Sequence, residues 1–378
     1  MKVFVLSRII ISCFWLSMLN LVASRATAQQ PVIITYAGGY RGNLVNTEKI
    51  EAEKLTHLLY AFANVNSRGE AILNYPKTDP INLARLVALK TKNPELKILL
   101  SVGGLGWSIH FSTMAMTAEG RNHFSNTCVA LLKKYKLDGI DLDWEFPGYA
   151  GEGGNPYRPE DKQHFTLLCQ SLRAALDKAQ QDNRQRFLLT AAVDGWASHF
   201  LPHTEMQQVQ LYLDYVCLMT YNFNNKDLAG GHYLYSPSGW DPNGSVDGAV
   251  KAFIAAGVPA FKLVAGAGFF PAALLMQTAD PNDRRYRSKQ VFKGGLAKID
   301  QLINRNGFIR YWDNEGQSPY LFNPQSGIRI AYEDSISIRL KCEYILHKKL
   351  AGIMYWDYFS DPNRKLLKTV YSVLRKPT

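Results

Sequence analysis

Eight short apolar, β-branched or aromatic runs punctuate the chain after Gln30, at 32–37, 57–65, 97–102, 139–146, 187–193, 215–223, 262–268 and 352–359. Each has the length and residue types of a buried strand. Most of the stretches between them carry apolar residues at helical spacing, over 80–92, 117–135, 160–181, 247–256 and 334–349, and 361–374 adds a closing helix. Strands that alternate with helices join in right-handed βαβ units around a parallel sheet. Eight such units at this length predict an α/β fold, a closed (β/α)₈ barrel of the TIM type.

The gap between the seventh and eighth runs is too long for one crossover. It spans 269–333 and holds a helix-like piece, 294–306, followed by the aromatic strand-like pieces GFIRYW and SPYLFN. The expectation is a small α+β insertion on the loop face of the barrel, within a catalytic domain covering 29–378. No internal repeat or low-complexity tract interrupts that plan.

Residues 1–28 differ from the rest. Lys2 and Arg8 precede an apolar run from Ile9 to Ala23, and Ala26-Thr27-Ala28 forms a small-x-small cleavage pattern before Gln29. The segment reads as a secretory signal peptide. As a membrane anchor the run falls short of the roughly 20 residues a spanning helix needs, and Ser12, Ser17 and Asn20 interrupt it. A secreted or periplasmic protein, with no membrane attachment after cleavage, is expected.

Cleavage would remove three cations and no acids, lowering the net charge from +11 to +8. The remaining Lys and Arg are interleaved with acids rather than clustered, which argues against a nucleic-acid partner. Cys128, Cys169, Cys217 and Cys342 lie inside apolar periodic stretches without C-x-x-C spacing, and are read as buried thiols. The eight His show no ligand spacing, and Gly266-x-Gly268 lacks the third glycine of a dinucleotide fingerprint, so neither a metal nor a cofactor is expected. A monomer is the working expectation.

In such a barrel, catalytic groups sit at the carboxyl ends of the strands. The fourth run reads Leu137-Asp138-Gly139-Ile140-Asp141-Leu142-Asp143-Trp144-Glu145-Phe146. Alternation along a strand puts Asp141, Asp143 and Glu145 on one face and Ile140, Leu142 and Trp144 on the other. The apolar face must meet the helices, so the acids point into the barrel, about 6.6 Å apart in a rising file. A strand buried on both faces offers no solvated side for three charges. Desolvated acids this close cannot all ionise, and a carboxyl kept protonated at a pocket mouth is what a general acid requires. Asp138, near the strand start on the opposite face, is read as structural.

This pattern resembles the DxxDxDxE signature of family 18 glycoside hydrolases, the chitinase-like family. Ser101-Val102-Gly103-Gly104 is similar to the family's SxGG motif, and Met219-Thr220-Tyr221 and Gly352-Ile353-Met354-Tyr355-Trp356 also fit. The insertion resembles the extra domain that walls the cleft in one subgroup. The resemblance implies a secreted hydrolase of β-1,4 bonds in chitin or N-acetylchitooligosaccharides, retaining and substrate-assisted. It implies Glu145 as the acid, Asp143 orienting the substrate acetamido group, Asp141 sharing a proton with Asp143, Tyr221 bonding the acetamido carbonyl, and Trp356 forming the sugar's hydrophobic floor. Tyr36, Phe62 and Met219 would line the central subsite.

Two departures stand out: Asn222 follows Tyr221 where many members have Asp, and the seventh strand ends Gly266-Ala267-Gly268-Phe269-Phe270 in place of the family's usual Tyr-Gly-Arg. Trp107 is the preferred loop aromatic for sugar stacking, ahead of Tyr149, Tyr157, Trp196 and Trp240, whereas Trp312 is assigned to the core of the insertion. Gly104, in a tight glycine turn, is expected to give substrate close access to backbone. An endo-β-N-acetylglucosaminidase acting on N-glycan or peptidoglycan, and a non-catalytic chitin-binding lectin, are the alternative functions.

Overall fold

The computed structural model describes residues 30–40, 42–151, 153–181 and 186–375. The expected signal peptide, residues 1–28, lies outside them. Strands β1 (Val32–Gly38), β2 (His57–Val65), β3 (Ala71–Leu73), β4 (Lys97–Gly103), β5 (Gly139–Asp143), β6 (Leu188–Asp194), β7 (Tyr215–Met219) and β8 (Leu263–Gly268) come first in the chain. They are followed by β9 (Ala272–Met276), β10 (Tyr286–Gln290), β11 (Ile309–Asp313), β12 (Ser318–Asn323), β13 (Ile328–Ala331) and β14 (Gly352–Trp356). Eight of these pair in parallel in the order β1-β14-β8-β7-β6-β5-β4-β2, and β2 pairs back to β1, which closes the (β/α)₈ barrel. Its strands begin within one residue of the eight runs in the sequence.

Helices Asp79–Ala88, Ala118–Tyr135, Asp161–Gln181, Val246–Ala255, Ser335–Lys348 and Lys365–Leu374 surround the barrel. The strand residues that face them, Ile140 and Leu142 among them, form one continuous apolar cluster with the helices, to which Trp144 adds its ring, stacked on Phe111 at 5.4 Å. A separate inner cluster fills the barrel, from Val32, Ile34, Leu59, Leu99, Cys217, Val264 and Met354 up to Tyr36 and Phe62. All four cysteines from Cys128 onward are buried free thiols. Among the described residues, no helix is long and apolar enough to cross a membrane.

Between β8 and β14 the chain builds a second, antiparallel sheet in the order β10-β9-β13-β12-β11, with the helix Gly295–Leu302 beside it. That helix is shorter than the predicted 294–306, and Asn304 and Asn306 beyond it take left-handed φ of 55° and 54°. GFIRYW and SPYLFN supply β11 and β12, whereas β9, β10 and β13 were not foreseen. Trp312 is only half buried, under the Arg310 guanidinium 5.6 Å from its ring, and takes no place in the sheet's apolar clusters. Its assignment to the core is therefore corrected.

Candidate active site

The predicted alternation along β5 holds. Asp141 and Asp143 are 0% and 4% exposed inside the barrel, and Glu145, two residues beyond, is half buried at its mouth. Among the described residues neither Asp141 nor Asp143 forms an ion pair with Lys or Arg. Hydroxyls serve Asp141 instead: Tyr36 donates to Oδ2 at 3.1 Å, Ser101 to Oδ2 at 2.7 Å and Thr190 to Oδ1 at 2.5 Å. Three neutral donors offset part of the desolvation of a carboxylate and leave the rest. Burial accordingly pushes Asp141 up to about 6 against the pull of these hydrogen bonds.

Asp143 has less help. Its Oδ1 is buried and hydrogen-bonded to nothing among the described residues. Burial first, then the charges of Glu145 and Asp141, raise its pKa well above the carboxylate range. A pair of acids in this situation holds a proton at neutral pH. Tyr221, beyond β7, is held protonated by burial and by the charges of Asp143 and Glu145.

The backbone of Glu145 is fixed from two loops. Its N–H donates to Ser108 Oγ at 3.0 Å, and Asn155 Nδ2 donates to its carbonyl and to that of Leu105, each at 2.8 Å. Ser108 and Asn155 were missed from the sequence. Both are isolated polar residues in glycine-rich loops, with no periodicity to mark them. Gly103 and Gly104 take φ of 118° and 100°, and a Cβ on Gly103 would lie 2.0 Å from the Asp143 carbonyl. Only glycine lets β4 turn this close to β5. The Gly104 N–H, however, is spent on the Asp143 carbonyl at 2.8 Å, and its Cα lies against the Phe62 ring. The close approach there joins β4 to β5 and seats Gly104 beside Phe62.

Aromatic rings surround the acids. Trp356 stacks on Phe62 at 5.5 Å and approaches Tyr36 at 5.3 Å and Tyr40 at 5.6 Å, while Trp107 meets the edge of Phe62 at 6.1 Å. Phe62 reaches this position because the β2–β4 register shifts between Ala61 and Ala63, so that Ala61 and Phe62 both face inward. A bulge that re-aims one side chain is common beside active sites. Met219 packs at the edge of the same inner cluster. Tyr40 was not singled out from the sequence; its hydroxyl donates to Asp357 at 2.9 Å.

Other candidates land elsewhere. Asn222, at φ 57°, turns its side chain into its own loop, where Oδ1 accepts from Asn224 at 2.6 Å. Trp196 and Trp240 are 8% and 7% exposed and pack with Phe223 and Tyr233 in a closed cluster, so neither offers a free face. Tyr149 lies flat on Phe146 at 5.1 Å and donates to Asp194 at 2.7 Å. Tyr157 is 49% exposed. Asp138 binds the Ile98 N–H at 2.7 Å and pairs with Lys90, at the opposite end of β5.

The family model described as Glycosyl hydrolases family 18 matches residues 32–361. The chain belongs to this family. Among its relatives, Chitinase A1 of Niallia circulans is 32% identical over 428 residues, covering 93% of this chain and 61% of its own length. The chain thus spans about three fifths of that relative. A family 18 N-acetylglucosaminidase from Paenibacillus barengoltzii superposes with a TM-score of 0.82 at 36% identity, over 90% of this chain and 99% of its own. Chitinase ChiA74 from Bacillus thuringiensis follows at TM-score 0.81 and 31% identity, over 92% of this chain and 70% of its own.

Proposed function

We propose that this family 18 protein is a retaining glycosidase that cleaves β-1,4 bonds in chitin or N-acetylchitooligosaccharides. The observation that carries this reading is Asp143 Oδ1, a buried carboxylate oxygen without a partner among the described residues, set between a hydroxyl-bonded Asp141 and Glu145 at the barrel mouth. A buried acceptor left open in this way suits an N–H donor brought by a ligand. The 2-acetamido group of N-acetylglucosamine brings one.

In the proposed reaction Glu145 gives its proton to the glycosidic oxygen as the bond to the anomeric carbon breaks. The acetamido oxygen attacks that carbon from the other face, forming an oxazolinium ion whose positive charge Asp143 stabilises. Water then opens the ring, losing a proton to Glu145, and the anomeric configuration is retained. Tyr221 holds the acetamido carbonyl for the attack, and Trp356 with Phe62 forms the apolar floor under the sugar.

The test is to follow product sizes and anomers released from N-acetylchitohexaose, beside the Glu145→Gln variant. Early short β-anomeric products that vanish in the variant support the reading; an intact hexaose in both samples overturns it. Binding without turnover would instead support a lectin. The 36% identity to an N-acetylglucosaminidase favours a second reading, in which single N-acetylglucosamine units leave one end of the chain. Monosaccharide as the first product would select it. Export is proposed from residues 1–28, and a mature N-terminus at Gln29 in the exported protein is the expected result.

A further inference from the structure

Behind the loop that follows Tyr221 lies His232, wholly buried and used by no step above. Its Nδ1 accepts the Asn222 N–H at 3.2 Å, and its Nε2 faces the Phe270 carbonyl at 3.2 Å. A carbonyl only accepts and an amide N–H only donates, so Nε2 carries the proton and Nδ1 is bare. Only the neutral Nε2–H tautomer makes both bonds. Burial, aided by the Lys341 ammonium, holds the ring's pKa down to about 3, so it stays neutral at the pH of any plausible assay.

Both partners of His232 lead to Tyr221. Asn222 follows Tyr221 in the chain and is held at φ 57°. The Phe270 ring meets the Tyr221 ring edge-on, with centroids 5.6 Å apart, and meets the His232 ring in the same way at 5.5 Å. The imidazole fits because β8 ends in glycine: a Cβ on Gly268 would lie 2.8 Å from His232 Cε1. From the far side Lys341, itself paired with Glu333, donates to the His232 carbonyl at 2.7 Å. The departures at Asn222 and at Gly268-Phe269-Phe270 are thus parts of one arrangement built around this ring.

We propose that His232 is a positioning residue for Tyr221, tying the backbone that follows the tyrosine to the phenylalanine that braces its ring. The proposal rests on the reading of Tyr221 as the acetamido contact. Its test compares His232→Leu, which keeps the volume and loses both bonds, with His232→Gln, which keeps a donor and an acceptor. Misplacement of a group that acts in the transition state predicts that His232→Leu lowers kcat on N-acetylchitohexaose by about 30- to 100-fold, with KM within about three-fold. His232→Gln should recover most of the loss. The ring ¹³C resonance of Tyr221, assigned with Tyr221→Phe, should move in the leucine variant and return in the glutamine variant.

A folded His232→Leu with wild-type kcat, an unmoved Tyr221 resonance, or a loss that His232→Gln does not repair overturns the proposal. Should His232→Leu fail to fold, Phe270→Leu breaks the same brace from its other end and is expected to show the same resonance shift with a smaller fall in kcat. If the wild-type protein does not turn over the hexaose, the functional reading fails, and the resonance alone decides whether His232 holds Tyr221.

Discussion

Asp143 and Glu333 are 4% and 2% exposed, and their company is opposite. Glu333 Oε1 is paired with Lys341 and its Oε2 accepts from Ser337 at 2.6 Å. Burial raises its pKa while Lys341 and Ser337 pull it back. Among the described residues Asp143 has no cation partner, one oxygen without a hydrogen bond, and two acidic neighbours. Equal burial with opposite neutralisation sets a cation-paired acid apart from the one proposed to meet a ligand.

The largest effect tests the paired side. Lys341→Met leaves Glu333 buried and unpaired, which is expected to cost about 3–5 kcal/mol in urea unfolding. The double variant Lys341→Met/Glu333→Met removes both charges and should recover most of that loss. Equal destabilisation by the single and double variants would break the comparison, since the charge would then matter less than the packing.

Next comes the unpaired side. Asp143→Asn keeps the shape and removes the negative charge, so kcat should fall by about 10²- to 10³-fold, the usual loss when one preorganised electrostatic stabiliser is removed. Its melting temperature should stay level or rise, because no buried cation is orphaned. A large drop in melting temperature would place Asp143 with Glu333 as a structural acid.

How much of this contrast could be read in the sequence follows from range. The file Asp141-Asp143-Glu145 is legible because strand period is two and its three acids are adjacent on one face. The cluster at His232 is not, because Lys341 lies 109 residues away from the carbonyl it binds. The barrel strands announce themselves as doubly buried apolar runs, while β10 is exposed along Arg287–Gln290 and shows no alternation of burial. Strand ends were overrun where polar loops begin with apolar residues: the run 352–359 passes β14 at Trp356, where Asp357 caps the turn Tyr358–Ser360. Trp196 and Trp240 show that the type of a loop aromatic does not reveal whether its face is free, and Trp312, on β11, that an aromatic in an apolar run need not be core.

The charge on the site also has a pH signature. Asp141 moves from 3.8 to about 6 on folding. An acid with a raised folded pKa stabilises the fold fully below pH 3.8, and the contribution is lost as pH rises through 6. Replacing it by Asn should therefore change little at pH 4 and increase stability relative to wild type by up to about 3 kcal/mol at pH 8. Urea unfolding at both pH values measures the difference. A gain confined to acid pH would reverse the sign and break the account of Asp141 as a desolvated acid without a cation.

The smallest effect asks whether hydroxyls really stand in for the missing cation. Ser101 donates to Asp141 Oδ2 at 2.7 Å, and this bond favours the ionised form. Ser101→Ala removes one donor of three and leaves Tyr36 on the same oxygen and Thr190 on the other. A hydrogen bond to a charged group is worth about 1.5 kcal/mol net, so the Asp141 midpoint should rise by about one pH unit. The carboxyl ¹³C resonance of Asp141 followed against pH reports that midpoint directly. An upward shift would show that the hydroxyl ring holds Asp141 part-way to ionisation, which Lys341 does for Glu333 with a full charge. An unmoved midpoint would mean that Tyr36 and Thr190 suffice, and that the balance of burial against those two hydroxyls sets where Asp141 ionises.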